Sequence, residues 1–123
     1  MKKLLIVTPT GHIKGFDEKL KKNFETINLN NPTVKQLLKN IKTVDFIFTN
    51  PNMSKIFFSR KILSAAKHLS CICTASTGTN HIDLNYLKKK KIKLISLRKK
   101  LRIISAISST AELAFALMIN ALR

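Results

Sequence analysis

The 123 residues include 23 Lys and Arg against 6 Asp and Glu, with 45% apolar residues and two Cys. That length suits one domain, and the apolar share suffices for a core, which excludes a disordered chain. Lys2-Lys3 is followed by only Leu4-Leu5-Ile6-Val7 before Thr8-Pro9, too short for a secretory signal. The longest apolar run, Leu113 to Ile119, is seven residues, far short of the roughly 20 that span a bilayer. The expectation is a cytoplasmic domain with no membrane partner.

The formal charge of +17 invites a nucleic-acid reading, since cationic side chains neutralise phosphates. Nineteen of the basic residues are Lys and only four are Arg, whereas base-edge and bidentate phosphate recognition favours the guanidinium fork. With 15 Ile and 10 Asn beside those lysines, general compositional bias explains the excess better than a nucleic-acid partner. A non-enzymatic basic module for nucleic acid or another polyanion is the alternative reading.

In chain order, Leu4 to Val7 is a continuous apolar run bounded by Pro9 and Gly11, which suits a strand buried on both faces of a parallel sheet. Phe24 to Leu29 is a weaker strand. Val34, Leu37, Leu38 and Ile41 lie on one helical face, with Asn31 as the expected cap and Pro32 in the first turn. Val44 to Phe48 reads as a strand, Ser59 to His68 as a helix burying Ile62, Leu63 and Ala66, and Ser70 to Ala75 as a strand. Asp83 caps a short helix through Leu84 to Lys90, and Ile92 to Leu97 is the last strand. The β-α alternation predicts an open, doubly wound, flavodoxin-like α/β domain with a parallel sheet.

Ser109-Thr110-Ala111-Glu112 fits a capping box opening a helix. From Ala111 to Leu122 only Glu112 and Asn120 are polar, so this helix must be covered by something, and the chain reaches Arg123 without a stop signal, as if cut after it.

Thr74 to Leu84 carries the chemistry. It follows a buried strand, where open α/β sheets bind ligands, and Gly78 among hydroxyl side chains suits close approach of backbone N–H groups to a carboxylate. Cys71 and Cys73 are two apart and share a strand face; near His68 and His81 they lack the spacing of a zinc site and read as reduced, buried thiols. Thr8-Pro9-Thr10-Gly11-His12 superficially matches a flavin-phosphate loop. Pro9 removes a backbone donor, and Ile13 stands where another hydroxyl residue is usual.

Ser76-Thr77-Gly78-Thr79-Asn80-His81-Ile82-Asp83-Leu84, then Tyr86 to Lys90, Ile92-Lys93, and Ser109 to Phe115, resemble the first lobe of the D-isomer-specific 2-hydroxyacid dehydrogenases, most of all the phosphoglycerate dehydrogenase-like branch. The resemblance implies a substrate-binding lobe over residues 1–108 and a hinge helix over 109–123 leading to a separate NAD-binding Rossmann lobe. It also implies a homodimer through that helix. Ser76, Thr77 and Gly78 would receive the carboxylate of a 2-hydroxy or 2-keto acid, and Thr77 would also touch NAD. Thr74 stands where several members carry Arg. The family's catalytic Arg, Glu and His have no match here, so no catalytic residue is assigned, and His81 reads as a loop residue. Only Gly11, Gly15 and Gly78 are present, so the family's G-x-G-x-x-G cradle is missing and the chain alone is expected to bind no NAD.

Overall fold

The apolar runs become β1 (Lys2–Ile6), β2 (Phe24–Asn28), β3 (Phe46–Thr49), β4 (Cys71–Thr74) and β5 (Lys93–Ile95). A computed structural model describes residues 1–99 and 101–121. All pairings are parallel, in the order β2-β1-β3-β4-β5. That is the open sheet expected of a flavodoxin-like fold, with crossovers through α1 (Phe16–Lys21), α2 (Val34–Asn40), α3 (Arg60–Ala65) and α4 (Leu84–Lys90).

Strand alternation divides the sheet residues between two faces. Leu5, Val7, Ile47 and Ile72 point into a closed core with Leu37 of α2, Ile62 and Leu63 of α3, and Leu87 of α4. On the opposite face α1 lays Phe16 against Phe48, ring centroids 5.4 Å apart. Beyond α1 that face holds an apolar groove of about 330 Å³, bordered in part by Phe46, Cys71, Cys73 and Ile95. The two cysteines share this face as expected, but they are free and half-buried rather than buried. Desolvation pushes both thiols above their usual pKa.

Local contacts decide where the elements begin. Thr33, not Asn31, caps α2: its side chain accepts from Gln36 N–H at 3.3 Å, while Gln36 Oε1 accepts from Thr33 N–H at 2.9 Å. Asn31 instead takes a left-handed turn at φ 47°. Val34, expected on the buried face, opens the helix and is half exposed; Leu37 and Ile41 are buried. Asp83 caps α4 as read, accepting from Tyr86 N–H at 2.9 Å. At the amino ends of the strands, Asp45 Oδ1 meets Lys2 Nζ and its Oδ2 accepts from Lys3 N–H, both at 2.8 Å, which holds the carboxyl below its usual pKa and ties the start of β3 to β1.

The last strand is shorter than the expected Ile92 to Leu97. A 3-10 turn at Leu97–Lys99 and α5 (Leu101–Ser105) follow it, and then α6 (Ser109–Ala121). α6 begins at Ser109 as expected, but Ser109 lies inside the helix instead of capping it. Ser108 Oγ donates to Glu112 Oε1 at 2.6 Å in place of the expected box. Along α6, Leu113, Phe115, Leu117 and Met118 are 61%, 66%, 59% and 63% exposed. Leu122, expected to belong to that helix, lies outside the described residues, as do Lys100 and Arg123.

Candidate functional site at the end of strand β4

β4 ends at Thr74, and the chain then crosses the carboxyl edge of the sheet through residues 75–83 before α4. Both ends of this loop are pinned by backbone bonds. Ala75 N–H donates to Thr49 C=O at 2.9 Å, and Leu97 N–H donates to Ser76 C=O at 3.0 Å. At the far end, Phe58 and Ile82 form a one-rung parallel bridge. Phe58 N–H donates to His81 C=O at 2.8 Å, and Asp83 N–H to Phe58 C=O at 3.0 Å. Phe58 anchors this bridge because its ring is wholly buried.

Between the pins, Thr77 and Gly78 are exposed and Ser76 is half-buried. Ser76 Oγ donates to the Gly78 carbonyl at 2.7 Å. Among the described residues, the backbone N–H groups of Thr77 and Gly78 meet no protein acceptor. These two adjacent amides lie beyond the carboxyl end of a parallel strand, the edge at which open α/β sheets bind ligands. Gly78 is not in the left-handed region, where only Gly15 stands among the glycines. A Cβ built on Gly78 would meet only Asn80 Oδ1, at 3.9 Å. Gly78 therefore stands where the loop leaves open space, not where the backbone conformation requires a glycine.

Behind the loop, Thr74 Oγ1 contacts Ser76 Oγ at 2.8 Å and His81 Nε2 at 3.2 Å. His81 is buried, and its Nδ1 has no partner among the described residues. Burial lowers its pKa from the ordinary 6.5, which favours the neutral ring. These contacts were not anticipated from the sequence, although one signal existed: the runs of β1, β3 and β4 each close on a buried threonine, Thr8, Thr49 and Thr74. Thr8 and Thr49 hydroxyls lack partners among the described residues, which leaves the carboxyl edge of the sheet polar but unsatisfied.

Cations flank the loop. Thr79, Lys93 and Arg98 border a cleft of about 570 Å³ beside it. Lys88, Lys89 and Lys90 occupy the last turn of α4, the end of that helix away from the loop, where they complement the helix dipole. In the loop after β1, the Thr10 hydroxyl donates to Asp17 Oδ1 at 2.7 Å and is committed to α1. Among the described residues, no three His, Cys, Asp or Glu side chains gather as metal ligands.

Comparison with known proteins places this geometry. Solved structures similar to it include a glyoxylate reductase from Paecilomyes thermophila, at 22% identity and TM-score 0.79, over 99% of this chain and 38% of that one. Another is a D-lactate dehydrogenase from Aquifex aeolicus complexed with NAD and lactic acid, at 23% identity and TM-score 0.76, over 94% of this chain and 32% of that one. A third is an NAD+-bound 3-phosphoglycerate dehydrogenase of Entamoeba histolytica, at 19% identity and TM-score 0.65, over 77% of this chain and 32% of that one. The chain thus spans about a third of the length of these proteins. No curated protein matches it in sequence. The family model of the D-isomer specific 2-hydroxyacid dehydrogenase catalytic domain matches residues 5–116. By that match, and with the parallel sheet it implies, the chain belongs to the D-isomer specific 2-hydroxyacid dehydrogenase family, within its catalytic domain.

Proposed function

We propose that this chain is the substrate-binding lobe of an NAD-dependent oxidoreductase acting on the CH–OH group of a 2-hydroxy acid, of the phosphoglycerate dehydrogenase-like branch. The observation that carries the proposal is the pair of free backbone N–H groups at Thr77 and Gly78, exposed at the carboxyl end of β4. In this reading they receive the carboxylate of a 2-hydroxy or 2-keto acid, and Ser76 holds the loop through its bond to the Gly78 carbonyl. Lys93 and Arg98 raise the local concentration of an anionic substrate.

The residues present do not fit NAD by themselves. After β1 the loop contains Pro9 and the committed Thr10, and α1 is only six residues long. The cofactor therefore belongs to a second lobe, with exposed Thr77 as this chain's contribution to its contact, and the chain alone is inactive. α6 is the hinge into that lobe and the surface of a homodimer. Residues 1–108 and 109–123 then serve as lobe and hinge.

Titrating the isotope-labelled chain with pyruvate tests the carboxylate site. Thr77 and Gly78 amide resonances should move saturably; shifts confined to other residues would reject the loop as the site. NADH fluorescence should show no saturable change with the chain alone, and a micromolar titration would overturn the division of labour.

A further inference from the structure

The hydroxyl contacts behind the loop have a direction that follows from counting protons. The Gly78 carbonyl can only accept, so the single hydroxyl proton of Ser76 is used on it. Ser76 Oγ must then accept from Thr74 in their 2.8 Å contact, and that uses the single proton of Thr74. Thr74 Oγ1 has none left for His81, so in the 3.2 Å contact His81 Nε2 is the donor. The chain runs one way: His81 Nε2–H to Thr74, Thr74 to Ser76, Ser76 to the carbonyl of Gly78.

A second observation agrees with that direction. His81 Nδ1 is buried with no partner among the described residues, as the bare nitrogen of a neutral ring protonated at Nε2. A proton placed there instead would be a buried donor with no acceptor, the costlier arrangement. Burial also disfavours the charged ring. The backbone of His81 is held in place by the bond from Phe58 N–H to the His81 carbonyl.

We infer that His81 is a positioning residue: through Thr74 and Ser76 it fixes the carbonyl of Gly78, and so holds the amides of Thr77 and Gly78 free for an incoming carboxylate. The last clause rests on the function proposed above, while the chain of hydrogen bonds stands or falls separately. His81 touches no reacting atom in this role. It sets the direction of two hydroxyl groups, which otherwise rotate freely and would let the loop carbonyl and amides exchange places at the ligand.

Nitrogen-15 NMR of the full 123-residue chain tests the direction. His81 should show a protonated Nε2 and a pyridine-like Nδ1; the opposite tautomer would overturn the proposal. The coupling is tested by substitution. His81→Leu should shift the Gly78 carbonyl carbon and the amides of Ser76, Thr77 and Gly78, leaving the α2 amides of Leu37 and Lys39 in place, and His81→Gln, which retains an N–H donor, should restore most of the shift. A loop spectrum unchanged by His81→Leu, or moved as far by Gln as by Leu, would show that His81 is a packing residue only. If His81→Leu fails to fold, Thr74→Val decides: it keeps shape and burial, removes the middle hydroxyl, and must move the same three residues. Pyruvate titration of the unsubstituted chain separates the two ideas, because a correct tautomer and coupled loop without pyruvate shifts would sink the carboxylate reading and leave the hydrogen-bond chain intact.

Discussion

Phe58 and His81, 23 positions apart, are joined by a 2.8 Å bond from the Phe58 N–H to the His81 carbonyl. It makes the loop after β4 depend on the segment after β3. Since the Phe58 ring is wholly buried, Phe58→Ala is expected to cost about 3–5 kcal/mol, the range for truncating a buried Phe. The distinguishing result is local: amide exchange at Thr79 to Asp83 should accelerate beyond the global loss of stability. Uniform acceleration across the sheet would mean that Phe58 supports the core and not the loop in particular.

Gly78→Val separates space from strain. Gly78 is outside the left-handed region and an added Cβ meets nothing nearer than Asn80 Oδ1 at 3.9 Å, so the melting temperature should change little. Carboxylate binding should nevertheless be lost, because branched methyls cover the amides, and Gly78→Ala should weaken it less. Both variants are to be compared by thermal melts and pyruvate titration; wild-type binding in Gly78→Val removes this loop from the site.

Burial of His81 makes part of the stability pH-dependent. Its folded pKa is lowered from the ordinary 6.5, so between that value and the lower folded value the unfolded chain binds more protons than the folded one. Stability should therefore fall as pH drops below about 6.5 and level off below the folded pKa of this group. Denaturant melts from pH 7.5 downward check the slope, and His81→Gln should remove its share. An unchanged slope in that variant would assign the effect to other groups.

Helix α6 leaves Leu113, Phe115, Leu117 and Met118 more than half exposed. Covering four such side chains contributes roughly 6–12 kcal/mol before association costs, so the isolated chain is expected to self-associate. The net charge of +17 opposes this by repulsion, and added salt should promote association by screening. Sedimentation at two salt concentrations, with the intact chain and a version ending at Ser108, checks both statements. A monomeric intact chain at high salt would mean that α6 folds back on its own domain.

Sequence alone determined the elements whose causes are local. The apolar runs around Leu5, Ile47 and Ile72 marked central strands because parallel strands covered on both faces need such runs. The Asp83 cap was legible because its partner, Tyr86 N–H, is three residues away. The same locality misled where two caps competed: Thr33 outdid Asn31 through its reciprocal pairing with Gln36. α1, with only six residues and none of them buried, produced no periodic signal to place it. The motif from Ser76 to Asp83 located the candidate site, but not its wiring. The free amides of Thr77 and Gly78, the neutral His81 and the unstrained Gly78 depend on how the loop is closed between Thr49, Phe58 and Leu97. Those partners come from three other segments of the chain, and only the packing of the sheet brings their backbone groups within hydrogen-bond reach.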